Sequence, residues 1–330
     1  MTLNFRPLIK VVSPSFSKNS LLVRELKSLP IRVELNKAGI RYTGQKLVDF
    51  LSDADGAIIG LESVDVGLLD KCPRLKIISK YGVGLDNIDL NACNDRGVAI
   101  GWTPGINKRS VSEVVVGQMI GLSRNLFTHS ALLREGNWQK DGGRLFSEKT
   151  VGIIGLGNIG QDLAKLLQAF GCKLLGNDIK NRSVFARNYN VKLVSKEEIF
   201  FKSDILTLHV PLTTATHQLV NKRALDLMHD DAFLINTSRG SVIDQTALKN
   251  ALINGSIAGA AVDVFEHEPP SDREFLQLPN LVPTPHLSGN SYESVLAMGR
   301  SSIKHIEEKL NVSTVDVELD TKNSFRFTVK

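Results

Sequence analysis

The chain has 330 residues, enough for about two domains. Its hydrophobic content of 42% excludes a mainly disordered protein and allows a sizeable core. The formal net charge of +5 is modest, and no basic run interleaved with aromatics marks a nucleic-acid surface. Cys72, Cys93 and Cys172 form no CxxC pair, and their odd number argues against a disulfide framework or a zinc site and for a reducing cytoplasm. No signal peptide and no apolar run of membrane-spanning length is expected, and the sequon at Asn311 is read as chance.

In chain order, short apolar runs predict strands over 8–12, 31–35, 56–60, 75–79 and 98–101. Helical spacing falls between them, over 20–29, 44–51, 64–72 and 89–97. This alternation predicts a parallel α/β layer. The loop Lys80 to Asp89 follows the fourth run at the carboxyl end, where such folds bind ligands. Gly82 and Gly84 could offer backbone N–H groups to a carboxylate. An ordinary glycine turn into a helix capped by Asp86 or Asp89 is the alternative.

Trp102-Thr103-Pro104-Gly105 breaks the pattern. Helices are predicted over 110–126 and 131–138, the first apolar on more than one face. Val151 to Asp178 then reads as strand, glycine turn, helix, strand and terminal acid. Gly155 allows the tight turn. Gly157 lets a pyrophosphate approach the backbone, and Gly160 lets the helix lie close on the sheet. The helix N-terminus faces the phosphates. Asp178 is placed to bind ribose hydroxyls and to repel a 2′-phosphate, which favours NAD, while Arg182 lies close enough to weaken that preference.

Strands follow over 191–194, 204–210, 232–238, 257–264 and 280–286, alternating with helices over 196–203, 222–228 and 245–255. A last helix spans 292–310, and the tail from Asn311 alternates weakly, as an added strand or a projection would. The expected division is a first domain part over 1–105, a cofactor domain over 106–299, and a return to the first domain over 300–330. Arg239, Glu268 and His286 each follow a different strand of the cofactor domain. Taken singly, an arginine before glycine, a glutamate before two prolines and a histidine after proline all have ordinary structural readings.

Together they match a pattern. The chain resembles the D-isomer-specific 2-hydroxyacid dehydrogenases, nearest their phosphoglycerate-dehydrogenase-like branch. The matching segments are KYGVGLDNID, TPGINKRSVSE, VGIIGLGNIG, HVPLTTATHQLV, NTSRGSVIDQTAL, AAVDVFEHEPP and TPHLSGNSYES, in the family's order. The resemblance implies a Rossmann-type NAD domain inserted in a flavodoxin-like substrate domain, both doubly wound parallel sheets. It implies a catalytic set of Arg239, Glu268 and His286. It implies cofactor contacts from Asn158, Ile159, Asp178, Val210, Pro211, Thr237, Ser238, Asp263 and Gly289, with Asp263 facing the nicotinamide carboxamide. Gly82, Val83 and Gly84 would hold the substrate carboxylate, and the long helix after residue 106 would build a two-fold homodimer.

The expected reaction interconverts a D-2-hydroxy acid and its 2-oxo acid, with no metal. Glu268 disfavours formate dehydrogenase chemistry, where a glutamine pairs with the histidine. An NAD(H)-sensing interaction protein of the corepressor type is the alternative, because such relatives keep the catalytic set. Many phosphoglycerate dehydrogenases carry an arginine where this chain has Gly60. Lys80, Lys108 and Arg109 add positive charge instead, so a second anionic group on the substrate is expected to be read by some of them.

Overall fold

A computed structural model describes residues 6–312. The reading of the tail as a strand therefore lies outside the described residues from 313 onward. Two compact units form. The first takes the chain up to Thr103 and from Leu296, and the second takes Pro104–Val295.

The first unit holds β1 (Leu8–Val11), β2 (Arg32–Leu35), β3 (Gly56–Ile59), β4 (Ile77–Lys80) and β5 (Ala99–Gly101). They form one parallel sheet in the order β2-β1-β3-β4-β5, the flavodoxin-like arrangement. On one face Ala57, Ile59 and Ile78 join a core with Leu51, Leu68 and Cys93. On the other, a Cβ added at Gly56 would meet Ile9, Ile77 and Ile306 at 2.9 to 3.4 Å. Residues of the last helix thus close onto the strands. The helix after the 80–89 loop is capped by Asp89, whose carboxylate accepts the Ala92 N–H at 2.9 Å.

The second unit holds β6 (Thr150–Ile154), β7 (Lys173–Asn177), β8 (Val191–Leu193), β9 (Ile205–Leu208), β10 (Phe233–Asn236), β11 (Gly259–Val262) and β12 (Leu281–Pro283). All seven are parallel, in the order β12-β11-β10-β9-β6-β7-β8. Counted from β6, this is the Rossmann order 3-2-1-4-5-6 with one further strand. The order reverses between β6 and β9, where such folds bind nucleotides.

Both faces of this sheet are covered, which is why its strands read as continuous apolar runs. Ile154, Leu206, Leu234 and Ala260 enter one core. Their neighbours Ile153, Ile205, Ile235 and Ala261 enter the other, with Val115, Met119, Leu163 and Leu167 from two helices. The helix expected over 110–126 runs from Lys108 to Ser123, and a second begins at Leu126. Asn125 between them has φ 54°, a left-handed value that ends the first helix. The helix placed at 131–138 is therefore shifted, to Leu126–Arg134. No helix among the described residues is long and apolar enough to cross a membrane.

Ile153 is fully buried at the centre of the second sheet. Ile153→Ala should cost about 2–5 kcal/mol. The expected readout is a lower urea midpoint for the unit-2 transition with an unchanged slope.

Candidate active site

Parallel strands put all their carboxyl ends on one edge. In the second unit that edge carries, in spatial order, the segments after β7, β6, β9, β10, β11 and β12. These contain Asp178, the glycine turn, Val210 and Pro211, Arg239, Glu268 and His286. At about 4.8 Å per strand, Asp178 and the end of β11 stand roughly 19 Å apart, four strand spacings.

The glycine turn fits a dinucleotide. Gly155 has φ 97°, and a Cβ there would lie 2.4 Å from the His209 carbonyl oxygen. A Cβ on Gly160 would lie 2.0 Å from the Gly155 oxygen. Around Gly157 nothing lies within 4 Å, so that side of the turn is open for a ligand. Helix Asn158–Gln168 has no side-chain cap. The N–H groups of Asn158, Ile159 and Gly160 donate to no protein acceptor among the described residues. Thr237 Oγ1 is buried and unpartnered, a polar atom that a ligand would satisfy. The residues present therefore suit NAD.

Asp178 sits at the end of β7 with its side chain 10% exposed. It accepts from the Lys180 N–H at 2.7 Å and from Arg182 Nε at 3.2 Å. The acid that should repel a 2′-phosphate thus carries a guanidinium at its side.

His286 Nδ1 and Glu268 Oε2 are 2.8 Å apart, and the two side chains are about one-third exposed. The Phe265 N–H holds Glu268 Oε1 at 3.1 Å. Burial alone would raise the Glu268 carboxyl above its ordinary 4.5, but it is outweighed. The His286 hydrogen bond and charge, the Phe265 N–H and the charge of Arg239 hold it below that value. With the folded value depressed, the pairing is present above the unfolded pKa and is lost as pH falls through the folded one.

His286 itself has φ 50°, in the left-handed region. Asp263, 1% exposed, explains how that backbone is held. Its carboxylate accepts from Thr284 Oγ1 at 2.6 Å and from the N–H groups of Leu287 at 2.9 Å and Ser288 at 2.8 Å. The residue expected to face the cofactor also braces the turn bearing His286. Gly289, in the same segment, packs against Asn107, whose side-chain nitrogen would lie 2.5 Å from an added Cβ.

Arg239 leads into a short 3-10 turn, Gly240–Val242, and its Nη1 donates to the Ser238 carbonyl at 2.7 Å. A Cβ on Gly240 would lie 1.9 Å from the Phe265 carbonyl carbon and 2.3 Å from the Glu266 nitrogen. The backbone leading to Glu268 crosses residue 240 at contact distance. Sequence reasoning missed this, although glycine directly after the arginine was the visible sign.

In the first unit, the loop after β4 is shaped by Gly82, with φ 145°, and by Trp102 Nε1, which donates to the Val83 carbonyl at 2.9 Å. The N–H groups of Gly82, Val83 and Gly84 donate to no protein acceptor among the described residues. That leaves three consecutive donors able to meet a carboxylate.

Lys80, the last residue of β4, is one of the expected substrate-side cations. It is 5% exposed, and its ammonium donates to the Gly60 carbonyl and to Asn87 Oδ1, 2.6 Å away. These bonds tie the loops after β3 and β4 together. Arg109 bonds Asp162 at 2.9 Å. Lys108 is exposed. Among the described residues no cluster of histidine, cysteine and acidic side chains could hold a metal.

Gly240→Ala should displace the Glu268 segment. Misplacement of about 1 Å can cost ~10²-fold in turnover. The expected result is a loss of that order in kcat, with NADH binding by fluorescence titration unchanged.

The second unit matches, over residues 116–288, the family model described as "D-isomer specific 2-hydroxyacid dehydrogenase, NAD binding domain". A hydroxypyruvate reductase of Thermotoga maritima is 33% identical over 289 residues, covering 84% of this chain and 94% of that one. A D-3-phosphoglycerate dehydrogenase of Methanocaldococcus jannaschii is 36% identical over 273 residues, covering 81% of this chain and 52% of that longer protein. The crystal structure of a D-lactate dehydrogenase from Aquifex aeolicus, complexed with NAD and lactic acid, is 26% identical with a TM-score of 0.81, covering 92% and 95% of the two chains. The chain belongs to the D-isomer specific 2-hydroxyacid dehydrogenase family and is an NAD-dependent oxidoreductase acting between a 2-hydroxy acid and its 2-oxo acid.

Proposed function

We propose that Arg239, Glu268 and His286 are the catalytic set, and that the substrate is a small 2-oxo acid without a second charged group. The observation that carries the first part is the 2.8 Å bond between His286 and Glu268 at the carboxyl edge that also bears the glycine turn. Nδ1 of His286 is engaged, so Nε2 is the nitrogen that serves the substrate. In reduction it donates a proton to the C2 oxygen, and in oxidation it accepts one. Glu268, held ionised, orients the ring. Arg239 grips the carboxylate and the C2 oxygen with a planar fork that a lysine would not reproduce. A nicotinamide cofactor held by the glycine turn after β6 would supply or receive the hydride. Within the first unit, the N–H groups of Gly82, Val83 and Gly84 are a further set of donors suited to a carboxylate.

The electrostatics favour an uncharged substrate tail. Lys80 is turned inward, Arg109 is paired, and residue 60 is a glycine. Only Lys108 of the expected cations carries no partner among the described residues. The named activities of relatives point the same way in part, since they include hydroxypyruvate and glyoxylate reductases as well as phosphoglycerate dehydrogenases. NADH consumption with glyoxylate, hydroxypyruvate and its 3-phosphate decides this. The unphosphorylated acids should give the higher kcat/KM, and a Lys108→Ala loss confined to the phosphate ester would restore the two-anion reading. His286→Ala should lower turnover by about 10²–10⁴-fold on the best substrate. Unchanged turnover there would remove the assignment. Absence of NADH consumption on every acid, with NADH still bound, would favour the corepressor-type reading.

Assembly as a homodimer through the second unit is part of the same proposal. Helix Leu126–Arg134 buries none of its residues. Leu126, Phe127 and Leu133 are 44 to 55% exposed, and Trp138 is 75% exposed. An apolar face of this kind suits a subunit contact. Light scattering should give a dimer for the native chain and a monomer for Leu126→Asp combined with Leu133→Asp.

A further inference from the structure

Asn236, the last residue of β10, stands outside the expected site. It is 1% exposed, and buried side-chain amides of this kind are retained where their hydrogen bonds are met. Its Oδ1 accepts twice from Ser238, from the N–H at 3.0 Å and from Oγ at 2.7 Å. Its Nδ2 donates to the Arg239 carbonyl at 2.9 Å. These partners settle the amide orientation, because a flipped group would set NH2 against an N–H.

Both ends of the amide act on the same residue. Nδ2 holds the Arg239 backbone directly. Oδ1 holds Ser238, whose carbonyl receives Arg239 Nη1 at 2.7 Å. The main chain of Asn236 is fixed in turn by ladder pairing to β9 and β11 and by the Asp263 N–H, which donates to its carbonyl at 2.9 Å. Arg239 is therefore referenced to the rigid sheet at its backbone and, through Ser238, at its guanidinium.

We propose that Asn236 is the positioning residue for Arg239, setting where the guanidinium stands without touching substrate itself. This rests on the reading of Arg239 as the group that binds the substrate carboxylate and C2 oxygen. Loss of the brace should be felt in substrate handling and not in cofactor affinity. It should also vanish once Arg239 is gone, because residues that act through one another are not additive.

The test is a double-mutant cycle in the full chain with the best 2-oxo acid, with NADH affinity read by fluorescence titration. Asn236→Ala should lower kcat/KM at least 10-fold in the native background and less than 2-fold in the Arg239→Ala background. NADH affinity should stay within 2-fold. Equal losses in both backgrounds would make Asn236 merely structural and overturn the proposal, as would no loss in either or a parallel fall in NADH affinity. Asn236→Asp, nearly isosteric, covers the case in which the alanine variant does not fold. It keeps the one acceptor oxygen for Ser238 but sets an oxygen against the Arg239 carbonyl, and it should show a loss with the same dependence on Arg239. Near-native kcat/KM in Arg239→Ala alone would instead sink the reading of Arg239, and this proposal with it.

Discussion

Glu268 reaches His286 because residue 240 has no side chain. The chain leading out of β11 must cross the turn that bears Arg239, and at contact distance only a hydrogen fits between the two backbones. From that crossing the rest follows. Phe265 can give its N–H to one oxygen of Glu268, and the other oxygen is left for His286. The crossing also brings the charge of Arg239 near enough to help keep the carboxylate ionised. A steric allowance at one glycine thus sets both the geometry and the charge state of the pair.

The braces around it share a design. Each is a polar side chain at the end of a central strand, buried among the layers that cover the sheet. Asn236 grips the turn after β10, and Asp263 grips the segment after β12. Strand ends are the stiffest points from which to hold a loop, because ladder hydrogen bonds on both sides fix their main chain. The half-exposed candidates Arg239 and His286 are thereby held from beneath by buried side chains.

Much of this was legible beforehand for a physical reason. In a sheet covered on both faces, each strand is a short apolar run, and each functional residue sits just past one. The runs before Gly155, Asp178, Arg239, Glu268 and His286 located the strands, and parallel topology put their ends together. What stayed hidden depended on approach between segments distant in sequence. The close approach at Gly240 left no local sign because Phe265 is 25 positions away. The burial of Lys80 left no local sign, because the acceptors of its ammonium belong to residues 60 and 87. The break at Asn125 was missed because a left-handed residue leaves no trace in hydrophobic spacing. Asn236 was passed over as the polar end of a strand, since nothing local tells whether an asparagine faces solvent or its own turn.

The backbone of His286 carries one further meaning. Its φ of 50° lies where most side chains are disfavoured and where asparagine, aspartate and histidine are several-fold enriched. Under the proposed role the position is filtered twice, once by proton chemistry and once by conformation. Few residue types pass the second filter, and of those only histidine titrates in the right range. Exchange of His286 for glutamate or lysine would meet a backbone barrier whatever the chemistry at this position. The substitutions open to drift at this position are the small set that the turn itself will bear.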